Sequence, residues 1–139
     1  MFQRILVPID FSEKNQRTVE IARELATINQ GAVYLLHVIE MIADSSFEEF
    51  RDFYLNLERE ANQKMETLRT AFDASAVKLE HTIVYGDRVN EIVRIAEEYA
   101  ADLIVMNSHR LDLSDPTSSV STISYKVSVL ANCPVLLVK

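Results

Sequence analysis

The sequence predicts an α/β fold, a three-layer sandwich in which one five-stranded parallel sheet, order 3-2-1-4-5, lies between helices in a doubly wound arrangement. Short runs that are almost wholly apolar, such as Arg4-Ile-Leu-Val-Pro-Ile9 and Asp102-Leu-Ile-Val-Met106, have the pattern of strands buried on both faces. These runs alternate with segments whose apolar residues recur at steps of three and four, the spacing of amphipathic helices. The first and fourth runs stop abruptly at Asp10 and Asn107, as strands do where they empty into a crevice.

The first strand, Arg4 to Ile9, gives way at Asp10 to a helix for which Ser12 is the expected N-cap. Val19, Ala22, Leu25, Ala26 and Asn29 share one side of that helix, and Gly31 is expected to stop it as the residue beyond its C-cap. Ala32 to Ile39, rich in branched and aromatic residues, is the second strand. A loop from Met41 leads to a long helix ending near Phe72. Ser46-Phe-Glu-Glu49 has the form of a capping box, and Phe50, Tyr54, Leu57, Ala61, Met65, Leu68 and Phe72 form one apolar stripe read as core packing. Leu79 to Val84 alternates more and is placed nearer a sheet edge. After the turn Tyr85-Gly86-Asp87, a helix from Arg88 to Tyr99 points Val89, Ile92, Val93 and Ala96 inward. Asp102 to Met106 is the fourth strand. Val120, Ile123, Val127 and Leu130 mark a short final helix, and Pro134 to Val138 the last strand. Each right-handed crossover returns the chain to the same sheet.

The 139 residues fit one domain, 1–139, able to bury about two thirds of the surface its unfolded chain exposes. With 48% apolar and 25% charged residues the composition is globular, and no apolar stretch is long enough to span a membrane. The net charge of −7 argues against nonspecific nucleic-acid binding, which relies on a basic face. One cysteine, Cys133, forms no internal disulfide, and His37, His81 and His109 show no metal-ligand spacing, so no metal is expected. The start Met1-Phe2-Gln3-Arg4 lacks the order of a secretory signal, and the expected location is the cytoplasm.

In sheets of this order, ligands bind beyond the carboxyl ends of the strands at the switch point, between Asp10 and Asn107. The loop that follows carries Ser108, Ser114, Thr117, Ser118, Ser119, Ser121 and Thr122, and its last hydroxyls precede a helix whose free N–H groups favour an anion. Arg110 offers a fork for phosphate. A solvated loop that merely caps the final helix accounts for the same residues. There is no Ser-His-Asp spacing, no pair of acids on one helix face and no phosphate-loop lysine, which argues against an enzyme. His109 is read as a solvated or structural loop residue and Cys133 as a packing residue at a strand entrance.

At these residues the chain resembles the universal stress protein family over essentially its whole length. Arg4-Ile-Leu-Val-Pro-Ile-Asp-Phe-Ser-Glu13 is similar to that family's first strand and helix start, and Ala101-Asp-Leu-Ile-Val-Met-Asn-Ser-His109 to its fourth strand and exit. Asn132-Cys-Pro-Val-Leu-Leu-Val138 is similar to its closing strand, and Gly86-Asp87 to the turn before its third helix. The resemblance implies that Pro8, Asp10, Val38 and Met106 stand at positions lining the ribose and adenine side of an ATP site. Members that bind ATP carry, after the fourth strand, a glycine, two residues, a second glycine, nine residues, then a third glycine followed by serine or threonine. Here Asn107 and Arg110 fall at the first two glycines, and Ser121-Thr122 at the third, with one extra loop residue.

Glycine at such positions lets backbone N–H groups approach phosphates and permits positive φ, which other residues reach at a cost of roughly 1–2 kcal/mol. The resemblance therefore implies a non-enzymatic stress-response or regulatory module, acting as a homodimer through its C-terminal strand and without tight ATP binding. The alternative is an adenine-nucleotide-binding switch whose altered loop uses Arg110, Ser121 and Thr122 toward a phosphate or small anion.

Overall fold

The computed structural model describes residues 1–108, 114–115 and 122–139. Its strands β1 (Arg4–Pro8), β2 (Ala32–Ile39), β3 (Lys78–Tyr85), β4 (Leu103–Asn107) and β5 (Val135–Val138) form one parallel sheet in the order β3-β2-β1-β4-β5, as the sequence predicts. Helices α1 (Lys14–Asn29) and α2 (Arg51–Arg69) cover one face, and α3 (Arg88–Glu98) and α4 (Ile123–Leu130) the other. Among the described residues no helix is long and apolar enough to cross a membrane.

The unbroken apolar runs follow from this layering. Ile5 and Val7 face the core under α1 and α2, whereas Leu6 faces the core under α3 and α4, so successive residues of β1 are wholly enclosed on opposite faces. Burying such a side chain stabilises the fold by roughly 1.5–3 kcal/mol. The Asp102 carboxylate fastens the amino ends of β1 and β4 together by accepting from the N–H groups of Gln3 at 2.9 Å and Arg4 at 3.0 Å.

At the other end the same two strands part. β1 pairs with β4 only at Ile5 with Leu103 and Leu6 with Ile104, while β1 stays beside β2 as far as Pro8 with Leu36, and β4 stays beside β5 as far as Asn107 with Val138. The Ile9 N–H turns toward β2 and donates to Leu36 O at 2.7 Å, so the neighbouring Pro8 presents its backbone toward β4. Proline has no N–H to offer there, and the ladder ends. A crevice opens where pairing stops.

Three local expectations are corrected. Ser12 does not cap α1. Its N–H is drawn to Asp10 Oδ1 at 2.9 Å in a local turn, and the helix opens at Lys14 with Glu13 at its N-cap and no side-chain cap bond. Gly31 follows the C-cap of α1 as expected, and the left-handed residue there is the C-cap Gln30 itself, at φ 54°. Phe50 leaves the α2 stripe and is exposed, because it ends a 3-10 turn, Glu48–Phe50, whose three residues per turn rotate it off the α-helical face. Leu130, the last residue of α4, is also exposed, the inward contacts of that helix ending at Val127. By contrast, Ser46 Oγ does accept from the Glu49 N–H, at 3.3 Å.

Candidate functional site

The parting of β1 and β4 leaves a cavity of about 300 Å³. Its apolar walls are Leu36 and Val38 of β2, Ile92 of α3, Met106 of β4 and Ile123 of α4. Pro8, Ile9 and Asp10 line it from the exit of β1, Asn107 from the exit of β4, Thr122 and Ser124 from the start of α4, and Arg88 from the start of α3. The volume falls at the lower end of small-ligand pockets, and the mixture of apolar walls with a few convergent polar groups is the usual composition of such sites.

Of the residues singled out from sequence, Pro8, Asp10, Val38, Met106, Asn107 and Thr122 are brought together around this one cavity. Arg110 and Ser121 lie outside the described residues, as do His109, Thr117, Ser118, Ser119 and Val120. Ser108 belongs elsewhere: it is buried, its N–H donates to Val138 O at 2.8 Å, and its Oγ accepts from Lys139 Nζ at 3.1 Å, so it serves the β4–β5 edge.

The polar rim is internally ordered. Asp10 receives the Ser12 N–H on its carboxylate and donates its own N–H to Asn15 Oδ1 at 3.1 Å. Asn107 Oδ1 accepts from the Thr18 hydroxyl, and its Nδ2 donates to Ser12 Oγ at 3.5 Å. Thr122 is the N-cap of α4, its Oγ1 accepting from the Tyr125 N–H at 3.2 Å and, at 3.5 Å, from the Ser124 hydroxyl. The loop leaving β1 passes through Phe11 at φ 63°, a left-handed conformation that is costly for a bulky side chain. Its ring rests on His37 with centroids 4.4 Å apart.

His37 Nδ1 bonds to Ile9 O at 2.7 Å, directly behind the rim. Burial lowers its pKa from the ordinary value; the bond to Ile9 O opposes that shift, Arg88 and Lys64 add to it, and Asp10 resists it. Cys133 is half-buried, and burial followed by the nearby Asp102 raises its thiol pKa, which suits a packing residue rather than a nucleophile.

Sequence reasoning missed Arg88, Ile92, Ile123 and Ser124 as lining residues, and Asn15 and Thr18 as supports. Asn15 and Thr18 are 2% and 0% exposed on the inward face of α1, where an apolar side chain is the usual occupant. Two polar residues one turn apart on that face were the available signal.

The chain matches the model of the universal stress protein family over residues 1–139. Universal stress protein MJ0577 of Methanocaldococcus jannaschii is 32% identical over 157 residues, which cover 100% of this chain and 96% of that protein. A solved structure of MJ0577 superposes with a TM-score of 0.84 at 34% identity, covering 100% of this chain and 96% of that one. Universal stress protein G of Shigella flexneri is 29% identical over 145 residues, 100% of both chains. Two more distant structures share the fold. One is a universal stress protein in complex with cAMP, with a TM-score of 0.66 and 23% identity over 99% of this chain and 97% of that one. The other is the Archaeoglobus fulgidus protein in complex with dAMP, with a TM-score of 0.72 and 20% identity over 100% of both chains.

Proposed function

The chain belongs to the universal stress protein family, and from that premise we propose that it is a non-enzymatic regulatory module of the cytoplasm, a single-domain homodimer that takes an adenine nucleotide into the crevice without holding ATP tightly. The observation that carries this proposal is the crevice itself. Val38 and Met106, with Leu36, Ile92 and Ile123, provide apolar walls of the kind a purine ring fills, and the Asp10 carboxylate stands at the rim where a ribose hydroxyl can donate to it. The complexes of family members with cAMP and dAMP support an adenylate as the ligand class.

Weak retention of a polyphosphate follows from the residues that replace glycine. Asn107 brings a carboxamide where the family's ATP-binding pattern has none, and that carboxamide is already engaged by Thr18 and Ser12. Backbone N–H groups there are less accessible to phosphate than beside a glycine. Thr122 Oγ1 accepts the Tyr125 N–H at the cap of α4 and the Ser124 hydroxyl donates to it, so both rim hydroxyls have structural tasks at the start of that helix.

Equilibrium titration of the full chain with labelled AMP, cAMP and ATP, each with and without magnesium, tests the proposal. The expected result is saturable binding of the monophosphates and little gain from the added phosphates of ATP. Lack of saturation by every nucleotide at millimolar concentration would overturn it.

A further inference from the structure

We propose that Arg88 is the anion-recognising residue of the crevice, so that the site selects an adenylate with one compact phosphate over the uncharged nucleoside; this rests on the nucleotide reading above. Among the described lining residues the two charged side chains are Asp10 and Arg88, and only Arg88 is a cation. It is the first residue of α3, just after the N-cap Asp87, whose carboxylate accepts from the Asn90 N–H at 3.0 Å.

A cation in that turn faces the positive end of the helix dipole, where an acid is preferred. Asp87 and Glu91 supply the acids, so Arg88 is not explained by the stability of α3. Arg94 of the same helix makes the contrast, with short bonds to Glu91 at 2.8 Å and Glu98 at 2.7 Å. Arg88 instead pairs with Glu40 at 3.7 Å, beyond hydrogen-bond length, and their side chains are 39% and 52% exposed. An ion pair so exposed and so long is weak enough to be exchanged.

The placement provides somewhere to exchange to. Arg88 lines the crevice and also an adjoining cavity of about 260 Å³ beyond the end of β2, beside His37, Glu40 and Lys64. Arg88 therefore borders both an acid of its own chain and the space a ligand would enter. A phosphate in the crevice offers it charge and fork geometry that the distant Glu40 carboxylate does not. Glu40 is then a competitor that moderates the affinity.

Calorimetric titration of the full chain and its Arg88→Gln, Arg88→Lys and Glu40→Gln variants with AMP and with adenosine tests the assignment, with circular dichroism confirming that each variant is folded. The wild type should prefer AMP. Arg88→Gln should weaken AMP by about ten- to a hundredfold, the usual worth of a hydrogen bond to a charged group, and leave adenosine unchanged. Arg88→Lys should recover part of the loss, and Glu40→Gln should strengthen AMP alone. Equal affinity of the wild type for AMP and adenosine, or a preference for AMP that survives in Arg88→Gln, would overturn the assignment while leaving the nucleotide reading intact. Binding of neither probe by the wild type would overturn both.

Discussion

Thr18, fully buried in α1, donates its hydroxyl hydrogen to the carboxamide oxygen of Asn107 at the end of β4, tying the first helix to the rim of the crevice across the sheet. The same hydroxyl has Lys14 O as a second acceptor at 3.2 Å, the back-bonding geometry of a threonine inside a helix. Thr18→Val keeps the shape and removes the donor, leaving the Asn107 oxygen without it. The expected loss of stability is about 0.5–1.5 kcal/mol, the net worth of one hydrogen bond, because Asn107 is only partly buried at the crevice rim. Thr18→Ser, which keeps the hydroxyl, should lose less. Urea denaturation checks both, with a lowered midpoint at unchanged slope as the expected signature.

Gly31 and Gln30 exchange the roles that their residue types suggest. Gln30 holds the left-handed φ of 54°, and the Gly31 N–H closes the helix end by donating to Ala26 O at 2.8 Å. Glycine is needed at 31 for a different reason: a Cβ there would lie 2.7 Å from Gln3 Cα and 2.9 Å from Gln3 O. Gly31→Ala should therefore destabilise the fold by about 1–3 kcal/mol through overpacking against backbone. Gln30→Gly should stabilise it by up to about 1 kcal/mol by relieving the left-handed strain. Thermal denaturation of the two variants should show shifts of opposite sign; two losses would refute the assignment of the strain to Gln30.

The strands are legible in the sequence because most residues of β1, β2 and β4 are buried, leaving runs such as Leu35-Leu36 with no polar interruption. The crevice is legible for the same reason, as the point where apolar runs stop at Asp10 and Asn107. Its side walls are harder to see. Ile92 and Ile123 have the spacing of any inward helical residue, and nothing in the sequence separates a side chain facing a cavity from one facing a filled core. Arg88 reads as a solvated residue at a helix start until its position at the end of β2 is known. Asn15 and Thr18 are missed because helix periodicity assigns the inner face to apolar residues, whereas the tertiary arrangement brings Asp10 and Asn107 there and creates polar partners. Phe50 and Leu130 are misplaced at helix ends, where the period of 3.6 residues no longer applies.

His37 links the rim of the crevice to pH. Burial is the main cause of its lowered pKa, so in the pH interval just below the ordinary value of 6.5 the unfolded chain binds a proton at this position that the folded chain does not. Its contribution to stability is therefore fully present above 6.5 and is lost as pH falls from there through the folded-state value. Comparing wild type and His37→Gln by denaturant unfolding between neutral and mildly acidic pH checks this. The wild type should lose more stability than the variant as pH falls below that point. Equal losses would show that His37 does not titrate differently on folding.

β5 ends the sheet, pairing with β4 on one side only, and its Leu136 is 39% exposed. On the adjacent helix Tyr125, Val129 and Leu130 are exposed at 42%, 62% and 54%. An unpaired edge strand flanked by exposed apolar side chains is the kind of surface that a twofold partner covers, because the same patch on two copies is self-complementary. The proposed homodimer accordingly predicts that wild-type protein sediments as a dimer at micromolar concentration. Leu136→Asp or Val129→Asp should shift it toward monomer, since each sets a charge against its symmetry mate's apolar surface. Both side chains are at the surface, so the isolated subunit should keep its fold, and circular dichroism should be unchanged. A monomeric wild type, or dimers that persist in both variants, would remove this edge as the interface.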